Sequence, residues 1–111
     1  MSEAIFTTLP ALDAARRAAD VRYLEFLRVP DLSAGLYVLE PGASDPQQPH
    51  AEDEVYVVVH GRCRFRAGPV ERDVEPGSVL FVPARQEHRF LDIRERLEAL
   101  VFFGPAEGSR S

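Results

Sequence analysis

Three side chains of metal-ligand type stand out: His50, Glu54 four positions later, and His88 much further along the chain. His50 and Glu54 lie in HAEDEVYVVVHG (50–61), where a histidine and acidic residues lead into a β-branched run. His88 follows the turn PARQE (83–87) and opens HRFLDI (88–93), as Glu54 opens its own apolar run. If those runs are strands that face each other, two imidazoles and one carboxylate converge. That set is the facial triad of non-haem Fe(II) centres, which leaves coordination positions open for substrate or oxygen. Taken singly, a histidine at a strand start more often serves the surface or a hydrogen bond.

Other reactive residues fit less well. His60 shares the strand parity of Glu54, but six residues of strand would separate them by ~20 Å, so it reads as a strand-end residue. Glu52 and Asp53 read as solvated loop acids, with Glu52 a ligand only if the loop folds inward. Cys63 is the only cysteine, so no internal disulfide forms, and it reads as a small buried hydrophobe. There is no Ser/His/Asp signature, phosphate loop or Cys/His zinc spacing.

Short strands are the elements that must position this set. Apolar segments fall at 21–29, 32–40, 54–60, 62–67, 70–74, 78–82, 88–93 and 96–103, separated by Pro, Gly and Asp. In RCRFRA (62–67), Cys63, Phe65 and Ala67 share one face and three arginines the other. Only PALDAARRAAD (10–20) reads as a helix, with Pro10 in its first turn. About eight strands with a turn every ~8–12 residues predict an all-β sandwich or barrel. Nothing between the strands fits the helices of a doubly wound α/β fold.

A chain of 111 residues, 45% hydrophobic and 28% charged, fits one folded domain. We expect an N-terminal arm and helix over 1–20, a barrel over 21–103 and a small polar tail over 104–111. A net charge of −5 argues against non-specific nucleic-acid binding. With no apolar span of ~18 residues and no secretory leader in MSEAIFTTLP, a soluble, cytoplasmic protein is expected, with no membrane partner.

The spacing of these residues resembles the cupin superfamily of small jelly-roll β-barrels, in particular its compact single-domain members. The family's first motif runs glycine, five residues, His-x-His, three or four residues, glutamate, six residues, glycine. This chain has Gly42, five residues, Gln48-Pro49-His50, three residues, Glu54, six residues and Gly61. The second motif runs glycine, five residues, Pro-x-Gly, two residues, histidine, three residues, asparagine. Here stand Gly77, five residues, Pro83-Ala84-Arg85, two residues, His88, three residues and Asp92. Fifteen residues separate Gly61 from Gly77, and the stretch from Gly42 to Asp92 that carries both motifs spans about half the chain. Gln48 replaces the family's first metal histidine, Arg85 its turn glycine and Asp92 its asparagine.

The resemblance implies a divalent ion held by His50, Glu54 and His88. Gln48 is then the fourth ligand, or a hydrogen-bond donor to bound substrate or water; alternatively, metal affinity is too weak and the pocket is empty. Fe2+ or Mn2+ suits the added oxygen ligand better than Ni2+ or Zn2+. Tyr56 and Val58 share the parity of Glu54 and are expected to line the barrel beyond the metal, with Phe81 and Phe90. Arg85 reads either as a solvated loop arginine or as a clamp for a substrate carboxylate or phosphate. Cupins include dioxygenases, isomerases and decarboxylases, so dioxygenase-like chemistry on a small molecule is expected, with non-catalytic small-ligand binding as the alternative. The family also implies a homodimer, with VRYLEFLRV (21–29) as the shared edge.

Overall fold

A computed structural model describes residues 3–110. Helix α1 (Leu9–Ala19) precedes eight strands: β1 (Tyr23–Val29), β2 (Leu32–Leu39), β3 (Asp53–His60), β4 (Cys63–Ala67), β5 (Val70–Val74), β6 (Val79–Val82), β7 (His88–Leu91) and β8 (Leu97–Gly104). Each strand expected from the turn residues is present. Most strand boundaries shift, by a residue or two, as helix and strand ends commonly do.

The helix forms where its caps place it. Thr8 accepts a hydrogen bond from the Ala11 N–H at 3.2 Å, Pro10 sits in the first turn, where its missing N–H costs nothing, and Asp20 ends the helix at φ +55°. Leu12 buries its side chain against Leu36 and Val38 of β2. Helix and barrel thus cover both faces of β2, which explains why every residue after its first is buried.

Antiparallel pairing builds two sheets, one of five strands in the order β1-β2-β8-β3-β6 and one of three in the order β5-β4-β7. Alternate residues of each point into one shared core, which includes Tyr56 and Val58 of β3, Phe65 of β4, Phe90 of β7 and Val101 of β8. This is the all-β jelly-roll barrel with a short N-terminal helix that the sequence predicts. The expectation that Phe81 lines the interior is corrected. On β6 the register sets Val82 opposite Glu54 and Leu80 opposite Tyr56, the inward pair of positions, which turns Phe81 and Val79 outward. Phe81 is 62% exposed.

Gly61, which closes the first motif, turns β3 into β4 at φ +101°. A Cβ there would stand 2.5 Å from the Arg96 carbonyl oxygen. Gly61→Ala should therefore cost roughly 2–4 kcal/mol, backbone strain plus a clash with main chain that cannot rotate away. Gly77, at φ +93°, has nothing within 4 Å of its own Cβ position. Urea midpoints should fall further for Gly61→Ala than for Gly77→Ala.

Candidate metal centre

Two sheets and one loop meet at the site. Glu54 points inward near the start of β3, and His88 opens β7 in the opposite sheet. His50 comes from the loop before β3; its carbonyl accepts from the Arg85 N–H at 2.6 Å, which ties that loop to the turn before β7. One ligand atom from each of His50, Glu54 and His88 lies within 4.8 Å of the others.

The hydrogen bonds fix what each group presents. Nδ1 of His88 lies 2.8 Å from the Gln86 carbonyl, which can only accept, so Nδ1 carries the proton. Nε2 of the neutral ring then presents a lone pair, 3.0 Å from Oε1 of Glu54. Glu54 is 2% exposed, and neither of its oxygens has a hydrogen-bond donor among the described residues. A lone pair facing a buried carboxylate at that distance needs a proton, on His88 or on Glu54, or a metal ion between them. Burial opposes a charged His88, yet Glu54 and the Gln86 carbonyl outweigh it and raise the imidazole pKa. Two imidazole nitrogens and a carboxylate oxygen fit a divalent Fe, Mn, Ni or Zn ion.

Tyr56 is kept from quenching that lone pair. Asp45, 3% exposed, accepts from Tyr37 Oη at 2.6 Å, from Gln47 Nε2 at 2.7 Å and from the Phe90 N–H at 2.9 Å. Because the Gln47 amide nitrogen faces Asp45, its Oε1 is left to accept the Tyr56 hydroxyl at 2.8 Å. The single phenolic proton is thus spent on Gln47, although Tyr56 Oη also lies 3.1 Å from His88 Nε2. Burial, reinforced by Glu54, pushes the Tyr56 pKa far up and keeps it a phenol.

A cavity of about 130 Å³ is lined among others by Tyr23, Gln47, His50, Glu54, Tyr56 and Glu107, while His88 lies outside its lining. Among the described residues no arginine lines it, and the chain has no lysine. Of the expected pocket residues only Tyr56 borders the cavity. Val58 is buried in the core, and Phe90 packs edge-on behind Tyr56 at 5.0 Å. Arg85 is exposed and holds φ +68°, the left-handed conformation that the family's glycine would take without strain. Its contribution to the site is its backbone N–H.

Gln48 is also corrected: it is exposed, and its neighbour Gln47 enters the site. The extended loop alternates, with Asp45 and Gln47 inward and Pro46 and Gln48 outward. One further expectation fails nearby. Glu52 is 2% exposed rather than solvated, with its carboxylate accepting the N–H groups of Gly108 and Arg110 at 3.0 Å each. From the C-terminal segment, Glu107 borders the cavity with Oε2 3.4 Å from His50 Nδ1. Burial and the neighbouring Glu54, Glu25 and Glu52 push the Glu107 pKa up against the pull of His50. Cys63 behaves as expected: it is buried, with its thiol pushed up to about 11.

Comparison with known proteins agrees with this architecture. A family model described as a cupin domain matches residues 35–103. An uncharacterised protein of Streptomyces coelicolor is 48% identical over 99 residues, covering 89% of this chain and 94% of that protein. An RmlC-like cupin from Shewanella frigidimarina superposes with a TM-score of 0.69 at 21% identity, over 76% of this chain and 75% of that one. KdgF from Halomonas sp. gives 0.68 at 21% identity, over 75% and 78% of the two chains. The DMSP lyase DddQ from Ruegeria pomeroyi gives 0.66 at 22% identity over 75% of this chain, which spans only 47% of that protein. At these identities the solved structures share the fold.

Proposed function

Because the chain belongs to the cupin family, we propose that it is a mononuclear divalent-metal protein, with His50, Glu54 and His88 as ligands, acting as an enzyme of dioxygenase-like type on a small molecule. The observation that carries this proposal is the buried Glu54 carboxylate, which has no hydrogen-bond donor among the described residues and lies 3.0 Å from His88 Nε2. Fe2+ or Mn2+ leads, ahead of Ni2+ and Zn2+, because the carboxylate and the remaining solvent positions offer hard oxygen. Bound there, such an ion supplies Lewis acidity and, as Fe2+, redox chemistry.

The protein's own groups would select and hold the substrate. A cavity of about 130 Å³ is close to one that admits a single benzene ring, roughly 150 Å³. Val101 and Phe103 make part of its wall apolar. The Tyr23 hydroxyl is buried with no partner, and burial keeps it protonated, so it can donate to a ligand oxygen. No guanidinium is placed to clamp a carboxylate or phosphate. We further propose that two copies pair along β1, an edge strand, and that the protein works in the cytoplasm, where the lone Cys63 suits a reducing environment.

Metal titration of chelator-treated protein tests this proposal. A bound ion at 100 times its dissociation constant stabilises the native state by about 2.7 kcal/mol, so the melting temperature should rise on the order of 10 °C. No shift with any of Fe2+, Mn2+, Ni2+ or Zn2+ would contradict it. A second function, ligand binding without turnover, is favoured by the exposure of Gln48, the residue at the family's first ligand position. Oxygen uptake by the Fe2+-loaded protein with small aromatic and hydroxylated compounds separates the two.

A further inference from the structure

The C-terminal segment after β8 has no counterpart in the two sequence motifs, yet it is tightly fastened. The Ala106 N–H donates to the Pro30 carbonyl at 3.3 Å. The Glu107 N–H donates to Ser33 Oγ at 2.8 Å, and the Glu107 carbonyl accepts from Arg28 at 2.7 Å. The next N–H groups, of Gly108 and Arg110, end on the two carboxylate oxygens of Glu52. Ser33 is 0% exposed and Ala106 2%. Buried polar acceptors spent on a segment of this kind make it a strap with one conformation.

The strap delivers one side chain to the site. Oε2 of Glu107 lies 3.4 Å from Nδ1 of His50. A carboxylate at Nδ1 favours the tautomer with the proton there and leaves Nε2 as the nitrogen free for a metal. At His88 the Gln86 carbonyl stands at Nδ1 in a hydrogen bond of 2.8 Å. We propose that Glu107 is a positioning residue, which holds the His50 ring in its metal-binding tautomer and orientation, and that the Glu52-fastened strap exists to place it. This inference rests on the proposed metal site.

Two readouts test the proposal on the full chain. In metal-free protein, long-range 15N–1H NMR should show the neutral His50 ring protonated at Nδ1, and Glu107→Ala should turn it into a mixture of tautomers. In metal titrations, Glu107→Ala should weaken Co2+ binding about 10–100-fold and alter the visible Co2+ spectrum. Glu107→Gln should recover much of that loss, because its amide oxygen can face Nδ1 as the carboxylate oxygen does. Glu52→Gln touches neither histidine, yet should weaken Co2+ binding in the same direction by loosening the strap. Native affinity, native spectrum and an unchanged His50 tautomer in Glu107→Ala would overturn the proposal. A wild-type chain that binds no Co2+ would overturn the metal site itself, and the His50 tautomer would still decide whether Glu107 positions the ring.

Discussion

His88→Ala should empty the metal site. Loss of the hydrogen-bonded partner behind a ligand typically weakens metal binding about 10–100-fold, and loss of the ligand itself should exceed that. His88 is 4% exposed and is the group that faces Glu54, so the substitution also strands a buried carboxylate. In the metal-free protein, breaking such a pair costs about 3–5 kcal/mol, less whatever Glu54 recovers by taking up a proton. The barrel should still fold, because the core around Tyr56, Phe65, Phe90 and Val101 is untouched. Adding Glu54→Gln to His88→Ala should restore stability without restoring metal. Calorimetry and elemental analysis on the same samples check both halves; metal content equal to wild type in His88→Ala would show the ligand assignment to be wrong.

Asp45→Ala should be the most destabilising change at the site, although Asp45 is not a ligand. Its carboxylate satisfies the Tyr37 hydroxyl, the Gln47 amide and the Phe90 N–H together. Alanine leaves these donors without an acceptor, and the Phe90 N–H lies where water cannot replace it. Each buried orphan costs about 1–3 kcal/mol, so a total of roughly 3–5 kcal/mol is expected, and a melting temperature lower by more than about 10 °C. Asp45→Asn, which keeps one acceptor oxygen but presents an amide to the other donors, should fall between. A loss below about 1 kcal/mol in Asp45→Ala would mean that this network does not hold the loop.

The fold was legible because Pro, Gly and Asp punctuate nearly every strand, and the convergence of His50, Glu54 and His88 because they keep their distances from Gly42, Gly61 and Gly77. What failed depended on relations between distant segments. Phe81 has an apolar side chain in an apolar strand, and only its pairing opposite Val55 shows that it faces outward. Gln47 and Gln48 are identical in type, and the inward pull on Gln47 comes from Asp45, whose own anchor is a backbone N–H on β7. Glu107 looked like part of a polar tail. Its place is set by Ser33, Arg28 and Glu52, none of them near it in sequence. The one local hint was Glu52 itself, an acid next to the first strand of the motif.

The most direct test of the central claim is elemental analysis of the protein purified without chelator, beside His88→Gln, which keeps the side-chain volume. The metal site predicts close to one divalent ion per wild-type chain, retained on dialysis and absent from the variant. A wild-type chain that holds no metal, even after anaerobic loading with Fe2+, Mn2+, Ni2+ and Zn2+, would contradict it and leave a proton on His88 as the charge that balances Glu54.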